Sequence, residues 1–168
     1  MPTDAPVQAY IGLGSNLEDP VRQVCRAFAE LDAIARTRCV TRSSLYRSAP
    51  MGPAGQPDYI NAVAAVETGL SPDALLDALQ AIEQTHGRVR GAEHWGPRTL
   101  DLDLLLFGAQ SRRDVRLTLP HPGLHQRAFV LYPLQEIAPD LVIPGYGLLR
   151  ELARQSVYST LERVMEPQ

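Results

Sequence analysis

The sequence predicts an α+β fold of the ferredoxin-like type: an antiparallel sheet with helices packed on one face and ligand loops on the other. Three observations predict it. Hydrophobic periodicity switches between strand and helix repeats in the order β-α-β-β-α-β, with further helices after it. The chain has 168 residues, 45% of them hydrophobic, enough for one domain with a real core. No repeat or linker divides residues 1–168, so a single domain is expected. Finally, the last strand of the pattern carries two aspartates where a core strand should carry none. One face of the sheet is thereby left for something other than packing.

Gln8 to Leu13 (QAYIGL) reads as the first strand. It leads into Gly12-Leu13-Gly14-Ser15-Asn16. Leu17 stands where a G-x-G-x-x-G loop needs its third glycine, and no acid follows at the dinucleotide spacing. A tight strand-to-helix turn is expected rather than a Rossmann site. Asp19 and Pro20 suit an N-cap and first turn. Val21, Val24, Cys25, Phe28, Leu31 and Ile34 then recur at helical spacing, to about Ala35. Arg38 to Arg47 reads as one strand with a polar face. The Pro- and Gly-rich stretch 48–57 is a loop. Tyr59 to Thr68 is a strand with Tyr59 and Asn61 on one face. Ser71-Pro72 opens a second helix that buries Leu75, Leu76, Leu79 and Ile82 and stops at Gly87. Gln80 and Glu83, three apart, share one of its faces. The segment 87–96, bracketed by glycines and carrying Arg88, Arg90 and the lone Trp95, reads as a lid. After the aspartate strand come a polar turn (109–114), a short strand (116–119), a break at Pro120-His121-Pro122, and helices over 125–137 and 148–157, the first interrupted near Pro133.

The chain is organised around Trp95-Gly96-Pro97-Arg98-Thr99-Leu100-Asp101-Leu102-Asp103-Leu104-Leu105-Leu106-Phe107-Gly108. Residues two apart in a strand share a face, so Asp101 and Asp103 project together while Leu102 and Leu104 face a core. Two carboxylates ~5 Å apart repel by roughly 3 kcal/mol at an effective dielectric of about 20. Positive charge is therefore expected beside them. A pair of divalent ions ~3.5–4 Å apart fits, as in phosphoryl transfer, and oxygen ligands favour magnesium over zinc. A strand end with two solvated aspartates, each paired to an arginine, accounts for the motif equally well by itself.

Net charge is −3, and every one of the 16 basic residues is arginine. The absence of lysine excludes a P-loop lysine, a Schiff base and a Ser-Lys pair. Phosphate must be held by arginine, backbone N–H or metal. Between Arg88 and Arg127 seven arginines face four acids, a net of +3, while the remainder carries −6. Positive charge thus gathers around the aspartates. A nucleic-acid surface also gathers arginine, but overall acidity and 6% aromatic content argue against one. Cys25 and Cys39 match no metal spacing, and Cys25, on an apolar helix face, is expected as a buried free thiol. His121 and His125, four apart, have no third ligand at zinc spacing. No stretch reaches the length of a membrane span, and the first residues lack the regions of a signal peptide. A reduced, cytoplasmic protein is expected.

Six segments then resemble, in order and spacing, the 6-hydroxymethyl-7,8-dihydropterin pyrophosphokinase family of folate biosynthesis. They are Ile11–Leu17 (IGLGSNL), Gln56–Asn61 (QPDYIN), Gly87–Arg90 (GRVR), His94–Leu105 (HWGPRTLDLDLL), Leu117–His121 (LTLPH) and Arg127–Ile137 (RAFVLYPLQEI). The resemblance implies the ferredoxin-like fold and transfer of pyrophosphate from ATP to the pterin hydroxymethyl group, leaving AMP. Asp101 and Asp103 would bind two Mg²⁺, with Arg88 and Arg98 on the phosphate side. Gln80, Glu83, Arg90, Trp95, Arg116, Thr118, His121 and Arg127 match ATP-site positions. Tyr59 and Phe129 resemble the rings that sandwich the pterin, Asn61 would bond its edge with groups near Ser48 and Met51, and Trp95 would close over it. Pro122 and Ala49 depart from the pattern of well-known members. Plainer roles exist for several of these: Phe129 as core, His121 as a turn residue, Glu83 as a solvated helix residue. The resemblance further implies small-molecule partners, no nucleic acid, no membrane and a monomer. Two rival classes are a non-catalytic ferredoxin-like ligand-binding module and an RNA-binding domain.

Overall fold

The structure, a computed structural model, describes residues 5–48, 57–87, 99–156 and 161–164. The expectations for Met51, Arg88, Arg90, Trp95 and Arg98, and with them the lid, lie outside the described residues, as does Ala49.

Strand β1 (Val7–Ser15) runs beyond its predicted end, straight through Gly12 and Gly14. The strand-to-helix turn expected there does not form. β1 is held on both sides, by β4 (Tyr59–Thr68) along its whole length and by β5 (Asp101–Phe107). Two ladders outweigh the weak strand preference of two glycines. Helix α1 (Pro20–Asp32) starts with Pro20 in its first turn, but Asp19 is left-handed (φ 64°) and its side chain caps nothing. A capping residue needs extended backbone to aim its oxygen at the first turn. The strand expected over 38–47 is two strands, β2 (Thr37–Arg42) and β3 (Leu45–Ser48). The break lies at Ser43, whose Oγ accepts the Val63 N–H (2.9 Å) and donates to the Ser44 carbonyl (2.7 Å). A side chain here takes over what a ladder would satisfy. β4 has its predicted bounds. Helix α2 (Pro72–Thr85) is capped by Ser71, whose Oγ accepts the Ala74 N–H at 3.1 Å. It stops before Gly87, which takes φ +87°.

Two short hairpin ladders follow β5: β6 (Arg112–Arg113) with β7 (Thr118–Leu119), and β8 (Val142–Ile143) with β9 (Gly147–Leu148). Between them a 3₁₀ turn (Leu124–Gln126) leads into α3 (Ala128–Ile137), which contains Pro133. After β9 come α4 (Leu149–Gln155) and β10 (Glu162–Val164). The main sheet is antiparallel in the order β10-β3-β4-β1-β5, with β2 on the other half of β4. Alternation along the strands separates two cores. Ile11, Leu13, Leu102 and Leu104 pack with Val24, Phe28 and Leu31 of α1 and Leu75, Leu79 and Ile82 of α2. Tyr10, Val63, Ala65 and Leu105 pack with Val130, Leu131 and Leu134 of α3 and Leu149 of α4. The helical layer predicted on one face is α1 with α2. The opposite face is shared: α3 and α4 cover one end, and the aspartate pair occupies the other. Cys25 and Cys39 form no disulfide and are half-buried. Among the described residues no helix is long and apolar enough to cross a membrane.

Candidate active site

Among the described residues β5 is a terminal strand of the sheet, paired only with β1. Its burial alternates as the sequence requires: Leu102 and Leu104 are buried, Asp101 and Asp103 half-exposed on the other face. In register across β1, Asp101 lies opposite Gly14 and Asp103 opposite Gly12. On the far side of β1, Gly14 lies opposite Asn61. Asp101, Gly14 and Asn61 therefore form one row on one face, with β1 carrying no side chain between the carboxylate and the amide. Gly14 in this row is the part of the site that reading Gly12 to Asn16 as a turn misses. The signal was a glycine pair at period two inside a strand, which marks a close approach of a ligand or another backbone.

An edge strand presents N–H and C=O groups that its sheet does not pair. On β5 two of them are taken by residues predicted for the site. Glu83 reaches from α2 and its Oε2 accepts the Leu102 N–H at 2.8 Å. It is buried, 5% exposed, so it is not a solvated helix residue. The bond falls between the two aspartates and fixes the backbone that carries both. His121 donates its backbone N–H to the Leu105 carbonyl (2.9 Å). Its ring is held as well: Nδ1 accepts the Gly123 N–H (3.3 Å) and Nε2 lies 3.8 Å from Asp103 Oδ1. With Nδ1 accepting, the proton of the neutral ring sits on Nε2, facing the carboxylate. Burial lowers the His121 pKa, Asp103 opposes this and the Arg127 charge adds to it.

Three of the pterin-side candidates, Ser48, Tyr59 and Asn61, gather at the other end of the row. Asn61 is buried and donates from Nδ2 to Ser48 Oγ at 2.7 Å. Tyr59, half-buried, pairs with Ser48 across the ladder. Asn16 Nδ2 donates to the Pro57 carbonyl (3.1 Å), tying the end of β1 to the segment entering β4. Phe129 is half-buried in the first turn of α3, against the second core, with the Arg127 guanidinium 5.7 Å from its ring centre. Both its proposed and its plainer role fit that position. Gln80 is half-buried on α2, one turn before Glu83. Thr118 is half-buried on β7.

Arg116 sits in a charged cluster against the first turns of α2. It pairs with Asp77 and lies 3.8 Å from Asp73. Arg112 binds Asp73 through two 2.9 Å bonds and also Asp114. The Arg112 guanidinium holds the Asp73 and Asp114 carboxyls below the usual range.

Among the described residues no group of three side chains forms a metal cluster. Two carboxylates on one strand face still suit a magnesium ion, which keeps several waters and takes substrate phosphates as its remaining ligands. They do not suit a structural zinc, which needs four protein ligands.

Comparison with known proteins follows the same line. The family model for 7,8-dihydro-6-hydroxymethylpterin-pyrophosphokinase matches residues 10–139. A Haemophilus influenzae protein named 2-amino-4-hydroxy-6-hydroxymethyldihydropteridine pyrophosphokinase is 52% identical over 149 residues, 89% of this chain and 92% of that one. A Pseudomonas aeruginosa protein of the same name is 50% identical over 157 residues, 94% and 96% of the two chains. Among solved structures, Plasmodium falciparum HPPK-DHPS with pterin and p-hydroxybenzoate superposes with a TM-score of 0.74 at 12% identity. That match covers 97% of this chain and 47% of the solved one, so this chain spans about half its length and the likeness is one of fold.

Proposed function

Because the chain belongs to the 7,8-dihydro-6-hydroxymethylpterin-pyrophosphokinase family, we propose that it transfers pyrophosphate from ATP to the hydroxymethyl group of 6-hydroxymethyl-7,8-dihydropterin. The products are AMP and the pterin diphosphate, a step in tetrahydrofolate biosynthesis. The observation that supports a site for it is the row Asp101, Gly14, Asn61: a carboxylate pair and a buried amide face each other across a strand that carries no side chain between them.

In this reading Asp101 and Asp103 hold Mg²⁺, two ions in the fully loaded enzyme. The metal supplies charge neutralisation on the triphosphate and eases ionisation of the pterin hydroxyl. The chain's own residues do the rest. Glu83 holds the strand between the two carboxylates. His121 presents an Nε2–H beside Asp103, a donor for a phosphate oxygen. Arg88 and Arg98 serve the phosphates from outside the described residues, with Arg90, Arg116, Thr118, Gln80 and Arg127 around the nucleotide. Arg116 must first leave Asp77, or bind the nucleotide with its remaining N–H groups. Tyr59 and Phe129 give the pterin flat apolar faces, Asn61 bonds its edge beside Ser48 and Met51, and Trp95 closes the site. The enzyme would act as a cytoplasmic monomer of one domain on two small molecules. The non-catalytic and RNA-binding readings draw no support from relatives that carry an enzyme's name over nine-tenths of the chain.

The test is AMP release from ATP plus the pterin, measured by mass spectrometry with and without Mg²⁺. AMP formed only when pterin and Mg²⁺ are both present is the expected result. No AMP under any metal would overturn the activity, and AMP formed equally in chelator would overturn the metal assignment.

A further inference from the structure

The proposed site has two halves on strands that are not neighbours. Asn61 and Tyr59 lie on β4, Asp101 and Asp103 on β5, and β1 runs between them. Adjacent strands are ~4.8 Å apart, so the two halves are separated by about 10 Å. A substrate that touches both must cross β1. The β1 residue in register with both Asn61 and Asp101 is Gly14. An ideal Cβ placed on Gly14 would lie 3.4 Å from Asn61 Oδ1 and 3.9 Å from Tyr59 Cδ1, with no closer contact among the described residues. Both are ordinary van der Waals distances. Among the described residues there is therefore room for a methyl group at this position, and Gly14 has no positive φ that would demand glycine. Glycine in a strand interior weakens the strand. Neither its backbone conformation nor packing among the described residues explains it.

Resting on the activity proposed above, we infer that Gly14 is a specificity-determining residue. Its missing side chain leaves open the gap over which the hydroxymethyl arm of a flat bicyclic substrate reaches from Asn61 on β4 to Asp101 on β5. Gly12, two residues earlier on the same face, is different. It lies opposite Val63 rather than Asn61, and a Cβ there would have the Leu105 side chain as its neighbour, at 3.4–3.6 Å.

The test uses Gly14→Ala, Gly14→Val and Gly12→Ala in the whole chain. Melting temperature, calorimetric affinities for pterin and for a non-hydrolysable ATP analogue, and AMP release are measured for each. Gly14→Ala should weaken pterin binding about tenfold, and Gly14→Val more, because each added carbon overfills the gap. ATP-analogue affinity should stay within about twofold. The melting temperature of Gly14→Ala should equal or exceed that of the unsubstituted chain, since alanine suits a strand better. Gly12→Ala, which adds its methyl beside Leu105 and opposite Val63 rather than Asn61, should leave pterin affinity in place. Pterin affinity and turnover unchanged in both Gly14 variants would overturn the inference, as would an equal loss in Gly12→Ala. Should Gly14→Val fail to fold, Gly14→Ala carries the test. Failure of the activity itself is separate: it appears as an unsubstituted chain that releases no AMP.

Discussion

Glu83→Ala removes the acceptor that holds the Leu102 N–H on the outer side of β5. The bond is 2.8 Å long and Glu83 is 5% exposed, so water does not readily replace it. A buried N–H left without a partner costs about 1–3 kcal/mol. Taking ~2 kcal/mol and the scaling for a chain of this size, the melting temperature should fall by about 4–8 °C. Glu83→Gln keeps a side-chain oxygen that can accept the Leu102 N–H. The Gln variant should therefore lose less than the Ala variant. The same bond fixes the backbone between Asp101 and Asp103, so turnover should respond more than stability does. A misplacement of about 1 Å in a reacting constellation costs on the order of 100-fold. Thermal melts, AMP release and amide exchange at Leu102 are read together. Fast exchange at Leu102 with slow exchange retained in β4 is the expected signature in Glu83→Ala. If Leu102 remains protected and the melting temperature does not move, Glu83 does not hold β5 and the argument fails.

Asp101→Asn and Asp103→Asn should each lower turnover by about 10²–10³-fold, the usual cost of a lost charge-stabilising group. Melting temperature should be unchanged or slightly higher, because carboxylate repulsion is relieved; near-normal turnover in either variant would sink the metal assignment. Tyr59→Ala and Phe129→Ala should weaken pterin binding by about tenfold by removing flat apolar surface, with ATP affinity kept; calorimetry showing the reverse would place the pterin elsewhere. Glu136 joins α3 to β3, accepting from Ser44 N–H (3.1 Å), Ser44 Oγ (2.8 Å) and Tyr46 OH (2.6 Å). Burial by itself raises its pKa, yet the Tyr46 and Ser44 bonds outweigh this and the net shift is downward. A depressed folded pKa gives stability that is present above the unfolded value, near 4.5, and is lost as pH falls through the folded one. The acid limb of a stability–pH curve below that value should flatten in Glu136→Gln, and an unchanged limb would refute the assignment.

Local signals survived into the structure where local physics decides. β4 keeps its predicted bounds because Tyr59–Thr68 lies between two strands and reads as continuous β-branched and small apolar sequence. Ser71-Pro72 starts α2 because a serine cap and a proline in the first turn need nothing from the rest of the fold. Asp101 and Asp103 share a face because a strand alternates. Two of the misreadings involve distant partners. Ser43 breaks the predicted strand over 38–47 through a bond to Val63, twenty residues on. Gly12 and Gly14 stay in a strand because β4 and β5 pair with both sides of it.

The same distinction explains how this site is built. Every sheet must protect its edges, and β5 is an edge that also carries the two carboxylates. A helix laid along it would satisfy the outward N–H and C=O groups but would bury the aspartates. Here the edge is covered at two points instead. Glu83 takes the Leu102 N–H from the α2 side, and the His121 backbone N–H caps the Leu105 carbonyl from the loop after β7. Asp103 lies between these two points, with its side chain still 46% exposed. Both residues thus complete the sheet edge and take part in the candidate site. The sequence resemblance singled them out as ATP-site positions, and the fold adds a structural task that no local pattern in the sequence announces. Edge protection and site geometry use the same side chains, so a substitution at Glu83 cannot change one without the other. Gly14 is the complementary case, where a residue serves the site by contributing no side chain.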